Sequence, residues 1–421
     1  MNSYFNIDEK LQVVSQKALE TACPAFARID GITEHNQQKV LAAFVNHRVS
    51  DSHFAATTGY GYGDRGRDTL DAVFAECMGT GDALVRHSIL SGTHAIGIAL
   101  FGVLRPGDMM LAVTGAPYDT LNDVICGGDG SLSEWGVKYA EVALNTDGLP
   151  DLSAIRAAVQ KYKPRVVHIQ RSRGYNTRPS LMVADIAAVT AVVREVDGEC
   201  ILFVDNCYGE FVETDEPSAV GADLMAGSLI KNPGGGIADN GGYICGRADL
   251  VEMCAARMTV PGIGREVGAS LGHNRALYMG LFNAPHVVGE ALKTAVFCAA
   301  LFSLLGFDVS PLPNHARGDI IQSVTLGDAQ RLVAFCQGMQ RGAPVDSFVV
   351  PEPWDMPGYR NPVIMAAGAF TMGASIELSA DAPIREPFAA YMQGGLNFHS
   401  GKTGVLLAAQ TMLERGLLPS F

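Results

Sequence analysis

The residue whose type and setting first suggest chemistry is Lys231, in the segment MAGSLIKNPGGG of this 421-residue chain. Small and apolar residues precede it, Ser228 stands three positions earlier, and glycines follow. A lysine whose amine is desolvated loses its proton readily and can form a Schiff base with an aldehyde. A solvated surface lysine is the commoner fate, but AGSLI is a poor surface sequence, so we interpret Lys231 as a candidate for covalent chemistry.

Two further polar groups follow apolar segments that read as strands. Asp205 lies near the end of CILFVDN, where a buried acid is costly unless it binds a cation or joins a hydrogen-bond network. Ser91, Gly92 and Thr93 come after VRHSIL and open a helix near His94, so their free N–H groups could bind a phosphate. Each also has a structural alternative, since Asp205 could cap the following turn and Ser91 or Thr93 could simply cap the helix.

The conjunction of the three groups is more specific than any one of them. A helix N-terminus can hold a phosphate, an acid can keep a pyridine nitrogen protonated, and a lysine follows that acid 26 residues later. These are the parts that pyridoxal 5′-phosphate requires. In an open parallel sheet, ligands bind beyond the carboxyl ends of the strands, which is where these residues are predicted to lie.

The order of the segments SGTHA, APYDTL, FVDNCYGEF and GSLIKNPGGG resembles that of the fold-type-I pyridoxal-phosphate enzymes. Within them, the chain is similar to the Cys/Met-metabolism lyases, and most closely to the methionine γ-lyase-like or aluminium-resistance proteins, a cystathionine β-lyase-like group. The resemblance runs from about Tyr60 to Phe398, and GYGYGDRGRDTLD, SLIKNPGGGIADNGGYI and GASIELSADAPIREPF carry it most specifically.

This resemblance implies a role for each matching residue. Lys231 would be the Schiff-base lysine, Asp205 the partner of the pyridine nitrogen, and Tyr118 the aromatic ring stacked on the cofactor. The residues implied at the phosphate are Ser91, Gly92, Thr93 and Ser228.

The resemblance also implies that a neighbouring subunit completes the site. In the lyases a Tyr and an Arg reach the phosphate from that subunit, and Tyr60, Tyr62 and Arg67 match them here. The chain departs from the usual Tyr-x-Arg pattern, so Arg65 remains an alternative to Arg67. The tyrosines could instead pack a glycine-rich turn. We expect a homotetramer or homodimer with shared active sites.

An amino-acid substrate brings a carboxylate, which the planar fork of an arginine suits best. Arg385 in SADAPIREP and Arg360 in PGYRNP are the candidates, and the segment of Arg385 is closer to the family. Either could instead form a surface ion pair. A predicted strand is followed by Gln170, Arg171, Ser172 and Arg173, which we expect to face the site. Gln170 or Arg173 could contact the ring hydroxyl oxygen of the cofactor.

The predicted function is therefore a carbon–sulfur lyase that acts by β- or γ-elimination on a sulfur-containing amino acid such as methionine or a cystathionine-like compound. Lys231 would take the α-proton as a base, and Tyr118 could act as an acid. The alternatives are an aminotransferase or aldolase on the same fold, or a non-catalytic homologue that binds the cofactor. The ten histidines show no HExxH motif, so no metal site is expected.

Strand and helix alternation predicts how these residues are positioned. Apolar strands alternate with helices, among them Leu152–Tyr162 and Val183–Val196, which indicates an α/β domain with a mostly parallel sheet. The pattern breaks near Pro285, after which we predict a helix from Val287, a strand at ASIELS and a smaller α+β domain. The predicted boundaries are a helical arm over 1–55, a cofactor-binding domain over 56–288 and a small domain over 289–421.

Composition excludes several other classes. The net charge is −13 without a long charged run, which argues against a nucleic-acid or anionic-membrane surface. The nine cysteines show no CxxC pairing, as is typical of reduced cysteines in a cytosolic protein. The N-terminus lacks the features of a secretory signal, and the longest apolar run, at Ala295, has 13 residues. We therefore expect a cytoplasmic enzyme with a small-molecule substrate.

Overall fold

The computed structural model describes residues 4–356 and 361–419. Helices and strands alternate through most of this part of the chain, as the sequence predicts. Its α-helices are α1 Glu9–Asn46, α2 Arg65–Cys77, α3 Gly92–Val103, α4 Asp119–Cys126, α5 Leu152–Tyr162, α6 Val183–Val196, α7 Ala248–Met258, α8 Asn274–Leu304, α9 Ala329–Arg341 and α10 Phe398–Glu414.

A seven-stranded sheet forms the centre of the larger unit. Its strands are β1 Asp82–Arg86, β2 Met109–Ala112, β3 Lys138–Glu141, β4 Val166–Gln170, β5 Ile201–Asp205, β6 Leu224–Ser228 and β7 Gly242–Gly246. The spatial order is β1-β7-β6-β5-β4-β2-β3. β7 runs antiparallel to β1 and β6, and the other neighbouring pairs are parallel. The predicted α/β class with a mostly parallel sheet is confirmed.

Burial explains why these strands read as continuous apolar runs. Every residue of β5, β6 and β7 is buried, because helices cover the sheet. One core packs residues of α3 and α7, including Ile96, Leu100 and Cys254, against the strand residues Phe203 and Ile244. The strands therefore present rigid ends, from which the polar residues of the candidate site project.

The C-terminal part of the chain contains a second, smaller sheet. Its strands are β8 Asp308–Ser310, β9 Gln322–Thr325, β10 Val363–Ala366, β11 Ser379–Pro383 and β12 Ala389–Gln393. Their order is β10-β11-β12-β9-β8, and each neighbouring pair is antiparallel. This agrees with the α+β architecture predicted for the end of the chain.

The chain divides into two compact units. One comprises residues 35–173 and 178–284, and the other residues 1–34, 174–177 and 285–421. The sequence-based domain boundaries remain predictions.

Two predicted elements are wrong in their bounds. The helix predicted from Val287 begins instead at Asn274 and passes through Pro285. A proline inside a helix costs one backbone hydrogen bond and about 3 kcal/mol. The long apolar helix offsets this cost, because 78% of the apolar 18-residue window of α8 is buried inside the fold. α8 is also long and apolar enough to cross a membrane, but that degree of burial is typical of a core helix.

The second wrong prediction is the strand at ASIELS. Glu377 lies within this segment, and its carboxylate accepts hydrogen bonds from the backbone N–H groups of Phe370 (2.8 Å) and Thr371 (2.9 Å). These bonds close a loop, so the strand begins only at Ser379. The alternation of apolar and polar residues had the right period, but this local bonding satisfies the backbone differently.

Candidate active site

Lys231 lies in the loop that directly follows β6. It precedes a short 3₁₀ turn over Asn232–Gly234, and Gly235 and Gly236 continue the turn with positive φ. Its side chain is half-buried, and Nζ lies 4.0 Å from the centroid of the Tyr208 ring. The aromatic face is a favourable neighbour for an ammonium group. The sequence-based expectation of a sheltered lysine amine agrees with this position.

Asp205 is the last residue of β5, the strand beside β6 in the sheet. It is 3% exposed, and its Oδ1 accepts a hydrogen bond from the backbone N–H of Cys207 at 3.1 Å. Burial raises the pKa of this carboxyl above its ordinary value, and the charge of Lys231 acts in the opposite direction. The buried acid is therefore within electrostatic range of the lysine.

Burial and neighbouring acidic groups together set the pKa of Lys231. Burial alone lowers the pKa of its amine, but Cys207, Tyr208, Asp205 and Tyr118 raise it, and the net shift is well above the ordinary value. The chain thus gathers acidic groups around one lysine. In the chain alone, Lys231 is therefore held as an ammonium. This differs from the expectation that desolvation would release its proton, because the neighbouring acidic groups outweigh the effect of burial.

The N-terminus of α3 lies beside the loop after β5 and the end of β6. Gly92 is buried, and a Cβ at that position would lie 3.0 Å from Cys207 Sγ and 3.4 Å from the Ser228 Cβ. The absent side chain leaves a cradle between the helix N-terminus, the end of β6 and the loop after β5. The first N–H groups of a helix have no partner within the helix and suit a phosphate.

Ser91 itself acts as the N-cap of α3. Its hydroxyl oxygen accepts a hydrogen bond from the backbone N–H of His94 at 3.1 Å. This is the structural alternative that the sequence left open for Ser91. The cap orders the first turn of the helix, including Gly92 and Thr93.

Tyr118 lies at the N-cap of α4, and its phenol oxygen is 3.1 Å from the hydroxyl of Thr93. Burial, together with Asp205 and Cys207, raises the pKa of Tyr118 well above its ordinary value. The phenol therefore keeps its proton at neutral pH. Of the residues predicted from the sequence, Gly92, Thr93, Tyr118, Asp205, Ser228 and Lys231 are thus brought together.

Gln170 ends β4 and pairs in register with Asp205. Its Nε2 donates a hydrogen bond to the carbonyl of Ser172 at 3.1 Å, so the amide is turned towards its own loop. Arg173, the alternative, is buried at 1% exposure. The role of either residue at the cofactor remains a prediction.

The predicted subunit-bridging segment separates into an exposed and a buried part. Tyr60 and Tyr62 are 72% and 66% exposed, and their ring centroids are 5.6 Å apart. Arg67 is 4% exposed, and its Nη1 donates to the carbonyls of Gly61 and Gly268, each at 3.0 Å. Arg67 therefore fixes this segment within its own chain.

The side chain of Arg67 makes a further hydrogen bond within its own chain. Its Nε donates to Asp68 Oδ1 at 2.9 Å, so the guanidinium is engaged on both sides. Arg65, in contrast, is exposed at the first position of α2. Between the two arginines that the sequence left open, this geometry favours Arg65 for a contact outside its own chain.

Arg385, one of the two carboxylate-binding candidates, belongs to the other unit. Arg385 is exposed, and its Nη2 donates to the carbonyl of Tyr175 at 3.2 Å. Arg360 lies outside the described residues. Both assignments remain predictions.

Sequence reasoning missed the importance of the loop after β5. Arg171, which is fully buried, donates to Asn206 Oδ1 at 2.8 Å and to the carbonyl of Gly209 at 2.9 Å. Tyr208 adopts a positive φ of 71°, which places its ring below the lysine. The segment FVDNCYGEF was visible as a motif, but only the fold shows that its side chains surround Lys231.

Comparison with known proteins identifies the family to which this chain belongs. The family model described as methionine gamma-lyase matches residues 11–413. The chain belongs to the methionine gamma-lyase family. The predicted resemblance is thereby confirmed.

Relatives of this family member match it along almost its whole length. The Bacillus subtilis protein YnbB is 51% identical over 395 residues, which are 93% of this chain and 94% of YnbB. The crystal structure of a carbon-sulfur lyase involved in aluminium resistance from Clostridium novyi has a TM-score of 0.93 and 50% identity, covering 96% of each chain. That of a proposed cystathionine beta-lyase involved in aluminium resistance from Clostridium acetobutylicum has a TM-score of 0.94 and 52% identity, covering 97% and 96%.

Proposed function

We propose that the protein is a pyridoxal-phosphate-dependent carbon–sulfur lyase that carries its cofactor on Lys231. The observation that carries this proposal is the meeting of a lysine amine, a buried acid at a strand end and a glycine cradle at a helix N-terminus, all within one unit. Membership of the methionine gamma-lyase family supports the same activity class.

The residues present fit this cofactor. The cradle at Gly92, with the hydroxyls of Thr93 and Ser228, suits the phosphate, since a Cβ at Gly92 would fill the space. The carboxyl of Asp205 suits the pyridine nitrogen, and the ring of Tyr118 offers a stacking face. When bound, pyridoxal phosphate withdraws electrons from the substrate's α-carbon, which makes loss of a β or γ substituent feasible.

The protein's own groups supply binding and proton transfer. With the cofactor bound, the Lys231 amine would act as the base for the substrate's α-proton. The Tyr118 phenol, which keeps its proton at neutral pH, donates that proton towards a departing thiolate. Arg385 binds the substrate carboxylate through its planar fork.

The proposal extends to assembly and location. A homodimer or homotetramer with shared sites places Tyr60, Tyr62 and Arg65 of one chain at the phosphate of another. The substrate is methionine or a cystathionine-like amino acid, and the enzyme acts in the cytoplasm.

The decisive experiment is the visible absorption spectrum of the purified protein before and after borohydride reduction, followed by peptide mapping. We expect a yellow protein whose band is lost on reduction and whose pyridoxyl group lies on the Lys231 peptide. Lys231→Ala should abolish the trapped adduct, whereas Lys161→Ala, at an exposed lysine, should not. An adduct that persists in Lys231→Ala would contradict the assignment.

Products then separate the reaction classes. A lyase releases ammonia with pyruvate or 2-oxobutyrate from the sulfur amino acid. An aminotransferase would instead form a new amino acid, and an aldolase would form glycine with an aldehyde. A yellow protein that gives none of these products with any sulfur amino acid would contradict the lyase proposal while retaining the cofactor assignment.

A further inference from the structure

Glu210 is a fully buried carboxyl in the loop after β5 that the proposed chemistry does not use. It is 0% exposed, and its Oε1 accepts a hydrogen bond from the Tyr243 phenol at 2.7 Å. Tyr243 lies on β7 and is itself 0% exposed. Burying a carboxyl is costly unless hydrogen bonds compensate for its lost hydration.

This carboxyl–phenol pair packs directly against the backbone at the end of β6. A Cβ at Gly227 would lie 2.7 Å from Glu210 Oε1 and 2.8 Å from the Tyr243 hydroxyl. Only glycine therefore fits at this position. Gly227 is followed by Ser228, so the pair fixes the strand end just before the lysine loop.

Glu210 also holds the other end of that loop. The side-chain amide of Asn232 donates to the main-chain carbonyl of Glu210 at 3.0 Å. Asn232 directly follows Lys231 and is 0% exposed. One residue thus contacts the segment of residues 227–232 both before and after the lysine.

We propose that Glu210 is a positioning residue for Lys231. Glu210 holds both ends of the segment that presents the lysine amine. It acts through the backbone of Gly227 and the side chain of Asn232. The inference rests on the proposed role of Lys231, but its contacts belong to the chain alone.

The burial of Glu210 shifts the pKa of its carboxyl, and this shift can be measured. Within the described part of the chain, its Oε2 is buried without a hydrogen-bond partner. Burial raises the pKa of Glu210 to about 8, with a further increase from Glu216, while the Tyr243 hydrogen bond and Lys231 act to lower it. The carboxyl is therefore neutral at pH 7 and becomes an anion within electrostatic range of Lys231 above about pH 8.

The first test measures Lys231 in the cofactor-free protein. Trace acetylation with acetic anhydride over a range of pH, read on the Lys231 peptide, gives the apparent pKa of this amine. Glu210→Gln removes the anion that stabilises the ammonium, so we expect the pKa to fall by at least about 0.5 unit. Glu199→Gln, the same change at an exposed site, should leave it unchanged. Equal pKa values in Glu210→Gln and the wild type would overturn the inference.

The second test measures positioning through rescue by a conservative variant. At a limiting concentration of pyridoxal phosphate, Glu210→Ala should reduce the adduct trapped on Lys231 by about tenfold, and Glu210→Gln should restore it to within about twofold. If Glu210→Ala does not fold, Tyr243→Phe removes the donated hydrogen bond while keeping the ring, and it should also reduce trapping. Wild-type trapping in whichever of these two variants folds would overturn the inference.

The two tests distinguish this inference from the proposed function. A wild-type protein that takes up no pyridoxal phosphate would end the cofactor assignment. The acetylation experiment would still decide whether Glu210 governs the environment of Lys231, because it needs no cofactor.

Discussion

The phenol oxygen of Tyr118 lies 3.1 Å from the hydroxyl of Thr93. This contact joins the first turns of two helices, α3 and α4, at the edge of the cradle around Gly92. It fixes the direction of a phenol that is held protonated by burial and by nearby acidic groups. The same hydrogen bond therefore positions an aromatic face and a proton donor.

The first prediction concerns this phenol. Tyr118→Phe keeps the ring and removes the proton, so kcat for elimination should fall by about 10²- to 10⁴-fold. Pyridoxal phosphate affinity, measured from the visible band, should change by less than about tenfold, since the ring remains. Thr93→Val, which removes the hydroxyl that orients the phenol, should show a smaller loss in kcat. An unchanged kcat in Tyr118→Phe would exclude the phenol as an acid.

The second prediction concerns the cradle. Gly92→Ala places a methyl group 3.0 Å from Cys207 Sγ, so pyridoxal phosphate should bind at least about tenfold more weakly. Gly97→Ala in the same helix is the matched control, because its Cβ would lie 3.9 Å from Val124. The control should bind the cofactor normally and be more stable by up to about 1 kcal/mol. Equal weakening in both variants would indicate a general effect on α3.

The third prediction is a pH dependence of stability in the cofactor-free protein. The pKa of Glu210 is raised from 4.5 to about 8 by burial, so the folded state retains its proton over a range in which the unfolded state loses it. This contribution to stability is fully present below pH 4.5 and is lost as pH rises to about 8. The slope is about 1.4 kcal/mol per pH unit.

Glu210→Gln cannot ionise but keeps an oxygen that accepts the Tyr243 hydrogen bond. The free energy of unfolding of Glu210→Gln should therefore gain on the wild type between pH 5 and about 8, and the difference should then level off. Urea titrations at several pH values measure it. A difference that does not vary with pH would show that Glu210 ionises at its ordinary pKa.

The fourth prediction separates the two arginines of the subunit-bridging segment. Mixed chains of Lys231→Ala and Arg65→Ala, each inactive alone, should regain activity in hybrid oligomers, because one site then combines both intact groups. Arg67→Ala should instead lower stability by about 2–4 kcal/mol, since it leaves the carbonyls of Gly61 and Gly268 without their donor. Recovery with Arg67→Ala and none with Arg65→Ala would reverse the assignment.

The regular elements of the fold could be predicted closely from the sequence. The helices Leu152–Tyr162 and Val183–Val196 match the structure in both bounds, because apolar periodicity and flanking turns mark their ends. The helix through Pro285 could not be predicted, since its continuation depends on burial in the core.

The site could be predicted only where residue type alone indicates chemistry. Asp205 ends one strand and Lys231 follows the next, and their residue types suggest the proposed roles without knowledge of the fold. Glu210 gave no such signal, because a buried acid acquires meaning only from the groups it contacts in three dimensions. The residue type of Arg67 suggested a ligand contact, whereas its hydrogen bonds to Gly61 and Gly268 lie within its own chain. Its role at the phosphate stays a prediction.

The antiparallel strand β7 has a consequence for how the protein is made. β1 is an edge strand that joins the sheet through β7, although 155 residues separate Arg86 from Gly242 in the chain. During synthesis, β1 and the turn that begins α3 are made long before the strand that docks them. We therefore expect the cradle at Gly92 to close late, after the ribosome has passed β7, so that a shorter nascent chain would not hold the proposed cofactor.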